Sequence, residues 1–142
     1  MNPTEQYLVD GLRHAREAAR ELARCDEATV KSALYGLAEK ALKNSEEIFY
    51  ANREDLSRMP EDDPKYDRLL LNDERLRSIC GDLRNVADLP SPIGTVLEEK
   101  TLDNGLQLTK QRVPMGVIAV IFESRPNVTF DVFALCLKTQ NA

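Results

Sequence analysis

Apolar residues recur at three- and four-residue steps as far as Val86, then give way to alternation and finally to an unbroken apolar run, so helices are predicted first and sheet elements last. Asn2, Pro3 and Glu5 supply a capping residue, a first-turn proline and an acid at N3, and Leu8, Leu12, Ala15, Ala19 and Leu22 share one face. A first helix to about Arg24 is predicted. Asp26 caps a second, with Val30, Leu34, Leu37 and Ala41 on its apolar side. Asn44-Ser45 is a further cap signal, with Glu46 and Glu47 in the following turn and Ile48, Ala51 and Leu56 on one face. Two prolines and an acidic cluster between Ser57 and Lys65 break the periodicity. Asn72 then caps a helix whose buried side is Ile79, Cys80, Leu83 and Val86, with Leu71 and Leu76 placed as a hydrophobic staple.

Leu89-Pro90-Ser91-Pro92 ends the helical part, which covers residues 1–92. Residues 93–113 read as a β-hairpin arm, with Asp103-Asn104-Gly105 offering the positive φ angles of a tight connection. Such a ribbon needs a third strand, a helix layer or another subunit. In 114–142, Met115 to Phe122 is apolar apart from Gly116 and reads as a strand covered on both faces. A polar loop follows, and Val128, Val132, Leu135 and Cys136 recur at helical spacing. The expected class is α/β: N-terminal helices, the arm, and the first strand-loop-helix unit of a doubly wound parallel sheet, incomplete here. In such sheets ligands sit beyond the carboxyl ends of the strands, where the next helix presents unpaired N–H groups.

Composition narrows the class. A net charge of −5 gives no broad basic field for nucleic acid, and the apolar run is far shorter than the roughly 20 residues of a membrane span. The start of the chain is too polar for a secretory signal, and 30% charged residues fit a soluble, cytoplasmic protein. Cys25, Cys80 and Cys136 have neither metal-ligand nor disulfide-framework spacing and read as small buried hydrophobes. Glu61, Asp62 and Asp63 lack the spacing and turn glycine of a calcium loop. No metal site is expected. His14, the one histidine, has no orienting partner nearby and reads as a surface residue.

The candidate chemistry lies in Glu123-Ser124-Arg125-Pro126-Asn127-Val128-Thr129. Two readings stand side by side. Arg125 suits a phosphate or carboxylate, Asn127 can donate to a developing oxyanion, and Ser124 or Thr129 can orient either group. Alternatively Asn127 and Thr129 cap the helix and Arg125 makes a surface ion pair. Neither the Gly-x-Gly-x-x-Gly fingerprint nor a phosphate-binding P-loop motif is present.

Pro114-x-Gly116-Val117-Ile118-x-Val120-Ile121-Phe122-Glu123-Ser124-Arg125-Pro126-Asn127-Val128-Thr129, with Ala134-Leu135-Cys136-Leu137-Lys138 and Asn141-Ala142, resembles the gamma-glutamyl phosphate reductases of the aldehyde dehydrogenase superfamily. Weaker echoes are Ala51-Asn52, Asp55-Leu56, Asp67-Arg68-Leu69-Leu70-Leu71 and Asn104-Gly105-Leu106, and the resemblance covers about the first third of such an enzyme. Ala119 and Gln140 stand where that pattern usually has Gly, which leaves the last helix without its usual left-handed residue. The resemblance implies the N-terminal part of an NADPH-dependent reductase. Its chemistry is thiolate attack on L-glutamyl 5-phosphate, loss of phosphate, and hydride reduction to L-glutamate 5-semialdehyde in proline biosynthesis. It also implies a homo-oligomer formed through the 93–113 arm and leaves open an association with glutamate 5-kinase. None of the three Cys matches that family's nucleophile, so no catalytic residue is expected in these residues and the chain alone is expected to be inactive. Glu123, Ser124, Arg125, Pro126, Asn127 and Thr129 are then the residues beside substrate or cofactor. The alternative is a truncated, non-catalytic interaction module derived from such an enzyme.

Overall fold

The computed structural model describes residues 2–123 and 125–142. Helix α1 spans Pro3–Leu22 behind a reciprocal capping box: Glu5 N–H donates to the Asn2 side chain and the Asn2 N–H to the Glu5 carboxylate. It ends two residues sooner than the periodicity predicts. Its stripe is not a core face either, because Leu8 and Leu12 are exposed and only Ala19 is buried. Helix α2, Glu27–Lys43, starts at Asp26, whose carboxylate accepts from Thr29 N–H and is held below its ordinary value by hydrogen bonding to the Thr29 side chain and, next, to that N–H.

The restart at residue 44 is observed: α3 spans Ser45–Leu56. Asn44 does not cap it, however. Its side-chain amide turns back and donates to the Lys40 carbonyl, serving the end of α2 instead. A single turn, α4 at Tyr66–Leu69, follows the Ser57–Lys65 loop and has no signal in the periodicity. Asn72 caps α5, Asp73–Asp88, by accepting from Arg75 N–H, and Leu71 and Leu76 are both buried as a staple requires.

The core lies where α5 meets α2 and the last helix, α6 at Pro126–Lys138. Val30, Leu34, Ala38 and Ala41 of α2 face Leu76, Ile79, Cys80, Leu83 and Ala87 of α5, and Ala134 of α6 closes the cluster. Full burial of a Leu such as Leu34 or Leu83 contributes about 1.5–3 kcal/mol. Polar ties frame this core. Lys138 is buried, and its Nζ donates to the Ala87 carbonyl at 3.1 Å and lies 3.3 Å from Glu27 Oε1, which also accepts from Ser91 N–H. At the exposed edge, Asp88 takes Lys31 at 2.6 Å and the Tyr35 hydroxyl at 2.9 Å, and both hold its carboxyl low.

The face α6 buries differs from the predicted one. Ala134 and Lys138 are buried and Phe130 and Leu137 pack on the core, whereas Leu135 and Phe133 are exposed. A helix that is apolar on both sides does not reveal in its own sequence which side meets the neighbour.

Strands β1, Val96–Thr101, and β2, Gln107–Gln111, form an antiparallel ribbon exposed on every residue of both strands. Only Gly105 in the turn takes a positive φ, 85°, so the connection is a three-residue loop with one left-handed glycine, Leu102 exchanging bonds with Gly105 and Leu106.

Met115 to Phe122 is not a regular strand with covered faces. Met115 is 82% and Ile121 100% exposed. Two backbone bonds tie its start to the end of α6: Ala142 N–H donates to the Gly116 carbonyl and Ile118 N–H to the Ala142 carbonyl. Paired only over this short length, the segment lacks the neighbours that would make it a sheet strand. Beyond α6, Gln140 takes the left-handed conformation despite its side chain, with φ 55°. Its N–H donates to the Leu137 carbonyl and that of Asn141 to the Cys136 carbonyl, the paired bonds of a Schellman end. The expectation that Gln140 would remove this feature is therefore corrected. The Gln140 amide compensates by donating to the Cys25 carbonyl.

Candidate functional site

The polar loop after Phe122 runs straight into α6. Pro126 occupies the first helical position, and Arg125 before it is extended, at φ −143° and ψ 97°, as a residue preceding proline prefers. Among the described residues no side chain caps α6 and no acid lies in its first turn; Val128 N–H donates to the Arg125 carbonyl, and the positive dipole end faces the loop. Asn127 and Thr129 do not cap. Asn127 instead donates to Asp131 one turn on, at 3.2 Å, and Thr129 is exposed. Arg125 makes no ion pair among the described residues, and Ser124 lies outside them. Glu123 reaches across to Lys65 at 2.8 Å; each raises the charged fraction of the other, lowering the proton affinity of Glu123 and raising that of Lys65.

Opposite the loop stands the segment 65–71. Asn52, buried in α3, holds it like a strand partner: its amide donates to the Leu69 carbonyl at 2.9 Å and its carbonyl accepts from Leu71 N–H at 2.8 Å. Arg75 grips the other side, donating to the Asp67 and Leu70 carbonyls and pairing with the Asp67 carboxylate at 2.6 Å. Two cavities result, with Arg125 and Pro126 in both linings. The polar one, about 360 Å³, is lined by Asp67, Arg68, Arg75, Arg125, Asn127 and Asp131 among others. The apolar one, about 420 Å³, is lined by Phe122, Phe130, Leu69, Leu71 and Thr129 among others.

Arg125, Pro126 and Asn127 are thus brought to one cleft, Thr129 to the adjoining cavity, and Glu123 to a latch at the rim. Sequence reasoning missed Asn52, Lys65, Arg68 and Arg75. The one signal available was that Asn52 and the run from Asp67 to Leu71 belong to the upstream echoes of the resemblance. None of the three Cys lines either cavity. Cys80 is buried against the Ala38 carbonyl and burial pushes its thiol up, away from reactivity. His14 is exposed, as expected, and the described residues hold no cluster of metal-ligating groups and no helix long and apolar enough to cross a membrane.

The chain is 56% identical over 138 residues to gamma-glutamyl phosphate reductase of Chlorobium phaeobacteroides, a match covering 97% of the chain. The chain is homologous to gamma-glutamyl phosphate reductase. It is 51% identical to the reductase of Bacteroides fragilis over 135 residues, 95% of the chain. The solved gamma-glutamyl phosphate reductase of Thermotoga maritima superposes on 95% of the chain with a TM-score of 0.89 at 34% identity, and that of Saccharomyces cerevisiae on 92% with 0.84 at 32%. The chain spans about a third of the length of each of these reductases: 33% and 32% of the two relatives, 33% and 34% of the two solved chains. No family model matches it.

Proposed function

We propose that this chain forms one wall of the active site of an NADPH-dependent reductase that converts L-glutamyl 5-phosphate to L-glutamate 5-semialdehyde, a step of proline biosynthesis. The observation that carries the reading is the polar cleft at the uncapped start of α6, where Arg125 stands without an ion pair among the described residues. The substrate is a small dianion at least, and an unpaired guanidinium beside a positive helix end is suited to hold its phosphate or carboxylate. Asn127 is fixed by Asp131 through one hydrogen of its amide, and the other is left to donate to the carbonyl oxygen as charge develops on it. Glu123 on Lys65 and the Asn52 and Arg75 bonds keep the two walls in register.

NADPH, when bound, supplies the hydride. The residues present fit its ring end: the apolar cavity beside Phe122 and Pro126 suits a flat ring, and Arg125 with the first-turn N–H groups suits a polar substituent. The attacking thiolate belongs outside these residues, since no Cys here faces the cleft. The bonds between Gly116, Ile118 and Ala142 run as in a parallel pair, and we take them as the start of a doubly wound parallel sheet. The exposed 93–113 ribbon is assigned to a homo-oligomer contact, and the protein to the cytoplasm; an association with glutamate 5-kinase would be compatible with both. The test is phosphate dependence. A full-length protein carrying this sequence oxidises L-glutamate 5-semialdehyde with NADP only when inorganic phosphate is present, and it retains that activity with Cys25→Ala and Cys136→Ala. Phosphate-independent turnover, or none, would reject the proposal.

A further inference from the structure

The polar cleft is lined by three Arg and three Asp, and two of its guanidiniums are without an ion pair among the described residues. Arg75 is committed to the Asp67 carboxylate and to two backbone carbonyls, but Arg68 and Arg125 stand on opposite walls without an ion pair among the described residues. Arg68 is placed there with care. Its own backbone segment is clamped by Asn52 from one side and Arg75 from the other, so the position from which its side chain extends is fixed although α4, in which it sits, is a single turn. Arg68 also lies near enough to the Lys65–Glu123 latch to depress the proton affinity of both groups, which puts it beside the loop that carries Arg125.

We propose that Arg68 is a second anion-binding residue of the cleft, so that Arg68 and Arg125 together select small ligands carrying two separated anionic groups over ligands carrying one. The inference rests on the reading of the cleft as a substrate site and adds a residue and a specificity to it. A guanidinium presents a planar fork that grips two oxygens at once, so each of the pair can hold a carboxylate or a phosphoryl end. Of the acidic groups in the same lining, Asp67 is paired with Arg75, Asp131 accepts from Asn127, and Asp82 makes no ion pair among the described residues, so none of the three is paired with Arg68 or Arg125. An anion in the cleft gains both guanidiniums without displacing any of these acids.

The probes are L-2-amino-5-phosphonopentanoate, which has a carboxylate and a phosphonate, and propylphosphonate, which has only the latter. Binding to the chain is followed by amide chemical-shift changes at the start of α6. The two-anion probe is expected to bind more tightly than propylphosphonate by about ten- to a hundredfold, the worth of one charge-assisted hydrogen-bonded contact. Arg68→Ala should reduce that preference to near unity, and Arg68→Lys should restore part of it. A preference unchanged in Arg68→Ala, while Arg125→Ala weakens both probes, would overturn this inference and leave the cleft reading standing. Binding of both probes untouched by either substitution would overturn the cleft reading as well. A chain that binds neither probe refutes both. Arg68 is exposed, so loss of folding does not confuse the result, and an unchanged amide spectrum of the free variant verifies it.

Discussion

Removing the Asn52 side chain should loosen the wall that carries Arg68. Asn52 is 7% exposed and makes two bonds to the 69–71 segment. In Asn52→Ala the Leu69 carbonyl is half-buried and can find water, but the Leu71 N–H belongs to a residue 7% exposed and loses its acceptor outright. An orphaned buried donor costs about 1–3 kcal/mol, and with the lost packing of the amide the expected loss is about 2–3 kcal/mol. For a chain of this size that is roughly 5–10 °C in melting temperature. Urea denaturation followed by circular dichroism measures it, with the slope unchanged. Asn52→Asp sharpens the test. The introduced carboxylate still accepts from Leu71 N–H but faces the Leu69 carbonyl, so burial and that carbonyl raise its folded pKa above the unfolded value. Its penalty is complete above the folded pKa and disappears below the unfolded one, so the variant should recover stability as pH falls. A loss below about 0.5 kcal/mol in Asn52→Ala, the range of ordinary surface changes, would refute the argument.

Three further outcomes are expected. At Gln140, where φ is 55°, Gly should exceed Ala in stability by about 1 kcal/mol, because Ala keeps the left-handed strain and loses the bond to Cys25, whereas Gly loses only the bond; equal denaturation midpoints would contradict this. Stability should fall with acid: Asp26, Asp88 and Glu123 have folded pKa values below their ordinary ones, so their contribution is present above the ordinary carboxylate range and is lost as pH drops through the lower folded values. A midpoint that does not change between about pH 6 and about pH 3 would contradict that. Maleimide labelling of the native chain should spare Cys80, which is fully buried, and modify Cys25 and Cys136 first; equal rates would mean the α2–α5 core opens freely.

What could be read from the sequence is local. Asn2, Asp26 and Asn72 each cap with a group three residues away, and the stripe of α5 needs only its own spacing. What could not be read depends on distance along the chain. Asn52 acts on residues 17 and 19 positions away, and Lys138 meets Glu27 at a separation of 111. The α1 stripe was legible as a stripe, but whether anything covers Leu8 and Leu12 is not a property of α1. The same holds for Met115 to Phe122, whose apolar run signals a buried strand, while burial depends on neighbours that the described residues do not supply. Of the cleft, Arg125 and its proline were legible because residue type and order alone set that turn; the wall that faces them was not.

The most direct test of the cleft as a substrate site is steady-state kinetics and melting temperature on the same variant, Arg125→Ala, in the full-length protein. Arg125 is exposed and makes no ion pair among the described residues, so stability has little to lose. The account predicts a fall in kcat/KM of about 10²-fold, the worth of a charge-assisted hydrogen bond of ~2–3 kcal/mol, at an unchanged melting temperature. A lowered melting temperature with intact kcat/KM would contradict it, and Arg125 would then be part of the scaffold.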